Sequence, residues 1–363
     1  MTESNIENKA WVDKLLNIGK IRKALTDDES RMLFDARIDF MITHNEDDYF
    51  DIIESLPYKW RMKCTQLEPY LGDGKTDIII FGCGHDGKMT NRILKKCEGG
   101  LSARYYCDSY RFGQVVDGLE VISVDELLEK HIKNTVVILG TSKKYQNEIF
   151  NMLIEKGYPK NRIIVPPEFR ILTAEFGQQY FDFFSPEQDE IFVDAGAFNG
   201  DTTLEFASWA GNNYKKAFVL EPQPDMCLEI EEKIRKAGLK NVVIENCAAW
   251  DKDEELYFSV FGQGTRTNVD GELSVSGKTI DDIVDGGKVT YIKMDVEGSE
   301  LKALAGVKKA ILKYKPKLAI SIYHNPWDVI ELADYILELV PQYNLGIRHY
   351  YSNMWETVLY AYV

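Results

Sequence analysis

The segment Ile191-Phe-Val-Asp-Ala-Gly-Ala-Phe-Asn-Gly-Asp-Thr202 constrains the fold more than any other part of this 363-residue chain. A β-branched and aromatic run ends on Asp194, two glycines follow, and an amphipathic stretch continues to Trp209. That order predicts a strand, a tight turn and a helix N-terminus, the geometry that lets a ligand press against bare backbone. A second apolar run ends on Glu221, followed by Pro222. An acidic side chain at the tip of the second strand is where a ribose diol is gripped.

The turn reads D-x-G-x-x-x-G rather than G-x-G-x-x-G. A carboxylate before the glycine suits a cationic ligand better than a pyrophosphate. The combination is similar to the S-adenosylmethionine site of class I methyltransferases, whose donor carries a sulfonium, an ammonium and no phosphate. A third element, Tyr291-Ile-Lys-Met-Asp-Val-Glu-Gly-Ser-Glu300, delivers Asp295 and Glu297 beside Gly298. With Glu221-Pro222 and Tyr323-His324, these residues resemble the FkbM-type methyltransferase family over residues 180–363.

The resemblance implies a role for each residue. Gly196, Ala197, Phe198, Asn199 and Gly200 form the turn against the methionine part of the donor, where a Cβ at Gly196 would crowd it. Asp194 anchors the loop or the donor's ammonium, and Thr202 caps the following helix. Glu221 accepts both ribose hydroxyls. Asn246, Cys247 and Ala248, after the third strand, stand where adenine is cradled. Asp295 lies near the donor's methionine end. In a continuing strand Asp295 and Glu297 share a face, so both point into the crevice. Glu297 leads as the residue that orients or deprotonates the acceptor, and His324, ordinarily titrating near 6.5, is the other candidate base. No third oxygen ligand stands at suitable spacing, so no metal is expected.

Strands alternate with helices in the middle of the chain too. Residues 1–74 read as a helical segment for packing or a homodimer contact (Trp11, Leu15, Leu16, Ile18, then Met32 to Ile42). Residues 75–168 read as a Rossmann-like lobe, 169–188 as an aromatic connector (Phe176, Tyr180, Phe181, Phe183, Phe184), and 189–363 as the methyltransferase domain. The fold expected is α/β: two parallel-sheet domains, the second closed by an antiparallel final strand pair, Leu345–Tyr350 and Thr357–Val363, with a β-rich insertion at 255–278.

The first lobe has its own turn, Gly82-Cys-Gly-His-Asp-Gly87, after the run Asp77–Phe81, with Asp108 beyond the next strand. Gly82, Gly84 and Gly87 leave a helix N-terminus open to a phosphate, and Asp108 is placed for a ribose. This lobe resembles the nucleotide-sugar-binding lobe at the front of sugar O-acyltransferases. A nucleotide or nucleotide-sugar, a nicotinamide cofactor and an empty inherited loop are the three readings.

Bulk properties narrow the rest. Net charge is −15, which weighs against a nucleic-acid backbone as partner. No apolar stretch approaches the ~20 residues of a membrane helix. The start lacks the pattern of a signal peptide, and six scattered cysteines suggest reduced thiols in a cytoplasm. The expected activity is O-methylation of a sugar, glycan or small natural product. Amino-group methylation is the enzymatic alternative, prompted by Asn325-Pro-Trp-Asp, and a non-catalytic nucleotide-sugar or donor sensor is the other.

Overall fold

The computed structural model describes residues 17–55, 67, 69, 76–96, 101–165, 178–261, 264–267, 273–350 and 354–363. The expectations placed on Trp11, Leu15, Leu16 and Phe176 fall outside these residues. The described residues divide into two compact units, one covering the stretch after Leu56 up to Phe176, the other the helices before it together with everything from Gly177 onward.

The middle unit is a six-stranded sheet: β1 (Asp77–Phe81), β2 (Tyr105–Cys107), β3 (Val115–Val116), β4 (Leu119–Ile122), β5 (Thr135–Leu139) and β6 (Ile163–Ile164), in the order β3-β4-β2-β1-β5-β6. All pairings are parallel except β3 with β4. Successive side chains of a strand face opposite ways. Here Ile78 and Ile80 enter one hydrophobic cluster while Ile79 and Phe81 enter another. Both faces are covered, so β1 reads as an unbroken apolar run. The β3–β4 hairpin was not expected. Its signal is Asp117-Gly118, both at positive φ (51° and 76°), the pair that a tight two-residue hairpin turn requires.

The larger unit holds β7 (Glu190–Ala195), β8 (Tyr214–Leu220), β9 (Val242–Glu245), β14 (Tyr291–Met294), β15 (Lys317–Ser321), β16 (Asn344–His349) and β17 (Thr357–Tyr362), ordered β16-β17-β15-β14-β7-β8-β9. β17 runs antiparallel between β15 and β16, which gives the expected closing pair. Starting at β7, the chain goes to β8 and β9 on one side, then returns to β14 and β15 on the other. Ligands bind open α/β sheets at that reversal, above the C-terminal strand ends. The insertion forms a separate four-stranded sheet from β10 (Ala248–Ala249), β11 (Glu254–Phe261), β12 (Gly264–Thr267) and β13 (Leu273–Lys278).

Two boundaries move. The helix Asp28–Thr43 is not part of a separate lead-in. Capped by Asp27, whose carboxylate accepts the Ser30 amide at 2.8 Å, it packs on the closing pair through Ser30 Oγ to Ile347 N (2.9 Å) and Arg37 to Thr357 Oγ1 (2.6 Å). Nor are the described residues of the aromatic connector a linker. Phe181 is buried against Phe192 and Tyr291, and Phe183 stacks on Tyr360 at 4.6 Å over Gly346, where a Cβ would collide with its ring. Long-range packing decides both, and local sequence does not show it. Among the described residues no helix is long and apolar enough to cross a membrane, and the four described cysteines are free and buried.

Candidate active site

At the reversal between β7 and β14 lies a cavity of about 300 Å³. Its lining includes Gly196, Phe198, Glu221, Cys247, Ala248, Trp250, Phe258, Asp295, Glu297, Ser299, Tyr323 and Glu356. No lysine or arginine is among its lining residues.

Asp194, next to the last residue of β7, is fully buried and does not line this cavity. Its Oδ2 accepts Thr203 Oγ1 at 2.7 Å, and Lys293 Nζ lies 3.1 Å from Oδ1. Lys293 also donates to the Gly196 carbonyl at 2.6 Å. Burial works against the Lys293 ammonium, yet Asp194 and Asp295 outweigh it and raise its pKa. These contacts tie Asp194 to the helix through Thr203 and to the turn through Lys293. Lys293 holds the turn from the neighbouring strand, a residue the sequence reading quoted but left without a role.

The glycines are explained by neighbours rather than by ligand. At Gly196 (φ 77°) a Cβ would stand 1.8 Å from the Asp295 carbonyl oxygen, so β14 passing alongside sets the requirement. Gly200 (φ 81°) is the N-cap of the helix Asp201–Trp209 and packs on Ile230. Thr202 sits inside that helix and does not cap it. Ala197, Asn199, Gly200 and Thr202 do not line the cavity, whereas Gly196 and Phe198 do.

Glu221, at the tip of β8, is only 3% exposed. Its two oxygens accept the Phe198 and Gln223 amides, each at 2.8 Å. Burial pushes its carboxyl up to about 7 despite those two bonds. Each oxygen keeps a lone pair for a further donor. Asn246 stands outside the lining; its Nδ2 donates to the Glu221 and Pro222 carbonyls, both at 3.0 Å, and so pins the strand tip. Cys247, Ala248 and, beyond the expected set, Trp250 line the cavity.

β14 stops at Met294, so Asp295 and Glu297 do not share a strand face. Glu297 takes a left-handed conformation (φ 55°), as does Gly298 (φ 95°), and the turn, not a pleat, brings both carboxylates to the cavity. Asp295 accepts from Tyr180 Oη at 3.0 Å and from Tyr323 Oη at 3.3 Å. His324 Nε2 stands 3.5 Å from both Asp295 Oδ1 and Glu297 Oε2, while its Nδ1 is 2.9 Å from Glu300 Oε1. Burial lowers the imidazole's pKa, but Glu300, Asp295 and Glu297 together outweigh that and carry it up to about 9. The neighbouring acids thus hold His324 well above the ordinary 6.5 of a free imidazole and favour its protonated form.

Ligand atoms of Asp295, Glu300 and His324 lie within 4.8 Å of one another. Glu300 is the third acid that the sequence spacing did not show, and the cation this cluster supplies for itself is the His324 imidazolium. Glu356, also missed, accepts Gln179 Nε2 at 2.6 Å, and burial pushes its carboxyl up. Nothing local marks it, since it precedes the last strand by one residue. Tyr323 lines the cavity, whereas Tyr180 and Trp327 do not. Asn325 pairs with Asp328 (backbone N to Oδ2, 2.7 Å) at the start of the helix Asp328–Leu339, outside the lining.

In the other unit the glycine turn is closed on itself. A Cβ at Gly82 would meet the Gly140 carbonyl at 2.6 Å, and one at Gly87 the Gly82 carbonyl at 2.0 Å; only Gly84 faces open space. Asp108 accepts the Tyr110 and Arg111 amides at 2.9 and 3.1 Å, with Cys83 N and Sγ at 3.4 Å. Burial acts against its charge, but these bonds prevail and its pKa is lowered.

A seven-stranded sheet of this order, with its final strand pair antiparallel, has the class I methyltransferase fold. The comparison with known families agrees, since residues 194–345 match the Methyltransferase FkbM domain. No curated protein matches the chain. Among solved structures, an FkbM methyltransferase from Methylobacillus flagellatus is 20% identical with a TM-score of 0.46, over 91% of this chain and 100% of its own. An rRNA methylase from Streptococcus thermophilus is 14% identical (TM-score 0.34, 49% of this chain, 87% of its own). Fibrillarin from Aeropyrum pernix, crystallised with natively bound S-adenosyl-L-methionine, is 12% identical (TM-score 0.33, 49% and 67%). At these scores the fold argument rests on the strand order, not on the likeness.

Proposed function

We propose that the larger unit transfers the methyl group of S-adenosylmethionine to a hydroxyl of a sugar, glycan or small natural product. One observation carries this reading: the cavity is lined by the carboxylates of Glu221, Asp295, Glu297 and Glu356 and by no lysine or arginine. A pyrophosphate finds no counter-charge there, whereas a nucleoside with a sulfonium and an ammonium does. Glu221 would take the ribose hydroxyls on its free lone pairs, and the Cys247–Trp250 stretch would flank the base. When bound, the sulfonium supplies an already activated methyl group, so alignment does much of the work.

The remaining task is to take the acceptor's proton. Three acids raise the pKa of His324 and disfavour it as a proton acceptor, so Glu297, whose side chain is 40% exposed, is the base we assign. The oxygen–methyl bond forms as the sulfur–methyl bond breaks, and the hydroxyl proton passes to Glu297. Asn325 lies outside the lining, which favours oxygen over an amino acceptor.

E297Q should lower turnover of labelled donor against glycan and small-hydroxyl acceptors by about a hundredfold, with S-adenosylhomocysteine affinity within twofold. Full turnover by E297Q removes Glu297 as the base.

For the other unit, a nucleotide or nucleotide-sugar at the Gly82–Gly87 turn is the proposed ligand, supported by the helix His85–Lys96 opening beside unobstructed Gly84. Asp108, held by its own loop, is withdrawn from the ribose role.

A further inference from the structure

We propose that Glu300 is the positioning residue of the methyl-transfer site, holding both the turn that carries Glu297 and the imidazole of His324 with one buried carboxylate. The proposal rests on the reading above and adds to it a residue outside the cavity lining.

Glu300 is 1% exposed and opens the helix Glu300–Ala305. Its Oε1 accepts the Val296 amide at 3.0 Å and the Gly298 amide at 3.4 Å, closing the left-handed turn on either side of Glu297. The same oxygen lies 2.9 Å from His324 Nδ1. A carboxylate there makes Nδ1 a donor, so the neutral ring would present a bare Nε2 lone pair to two carboxylates 3.5 Å away. The doubly protonated ring donates toward both instead. Three acids from two elements, Asp295, Glu297 and Glu300, thus share one cation fixed between them. The other charged groups facing this ring are Asp328, from the helix Asp328–Leu339, whose carboxyl burial pushes up to about 6, and Glu356, from the segment before β17.

Why a glutamate is needed follows from what glutamine cannot do. The amide oxygen of glutamine still accepts Val296 and Gly298, so the turn survives. It carries no charge, so His324 loses its nearest counter-ion. A buried opposite charge at this range shifts a pKa by about one to three units.

E300Q is compared with the unaltered chain across pH 5.5 to 10. The expected result is a loss of rate that grows with pH and is smallest at low pH, where the protonated form of His324 is favoured in both proteins. If the site works with His324 protonated, kcat should fall on the alkaline side, and in E300Q that fall should move down by about one unit or more. S-adenosylhomocysteine affinity should stay within twofold, and E300D should restore the position of the limb. A loss equal at every pH would mark a purely structural residue and overturn the proposal, as would an unshifted profile.

Nitrogen NMR of the imidazole, assigned by subtracting the H324N spectrum, tests the same point without turnover. His324 in the unaltered chain should carry protons on both nitrogens through neutral pH; a neutral ring at pH 7 overturns the proposal even if E300Q fails to fold. Failure to bind S-adenosylhomocysteine would instead break the methyl-transfer reading and leave the NMR result standing.

Discussion

The chain builds the strand, glycine turn and helix twice, each with an acid at the tip of the next strand, and the two acids end in opposite electrostatic states. Asp108 is surrounded by amides of its own loop, which lower its pKa. Glu221 also accepts two amides, yet burial leaves its carboxyl raised to about 7. The first is a satisfied ion; the second costs free energy to ionise until a ligand donates to it. Spacing makes the two turns look alike, and only burial and partners separate a loop support from a binding group.

The largest effect should come from the base of the second turn. Replacing Asp194 with alanine leaves Lys293 buried without its partner, so D194A should cost about 3–5 kcal/mol in urea denaturation. A loss under about 1 kcal/mol would show that the pair does not hold the turn. Next come the paired acids. E221Q should weaken S-adenosylhomocysteine binding by about ten- to a hundredfold, the scale of a charged hydrogen bond, while D108N leaves it within twofold. Equal effects from both would erase the distinction. The smallest effect sharpens the reading of the first turn: G84A should stay within about 0.5 kcal/mol of the unaltered chain. G82A, forced against the Gly140 carbonyl at a φ of 101°, should cost about 1–3 kcal/mol.

What the sequence made legible was whatever depends on period and position. The apolar runs placed β1, β7, β8, β14 and β15, and strand ends placed Glu221, Asp295 and Glu297 at one cavity. The reason given for the last two was wrong, because β14 ends at Met294 and a left-handed turn replaces the pleat. Residues that act through another residue were not legible. Glu300 and Lys293 touch no cavity, and Tyr180, itself at positive φ (69°), reaches Asp295 from 115 positions away. The raised pKa of His324 was hidden for the same reason, since the three acids that set it all lie a full strand earlier in the chain. The helix Asp28–Thr43 joined the larger unit through contacts with residues more than 300 positions distant.

Calorimetric titration of the full chain with S-adenosylhomocysteine at pH 6, 7 and 8 tests the central claim most directly. The account predicts one molecule bound per chain, with affinity that tightens across this range as the Glu221 carboxyl, raised to about 7 in the folded protein, loses its proton. Absence of binding at millimolar ligand, or an affinity indifferent to pH and unchanged in E221Q, would contradict it.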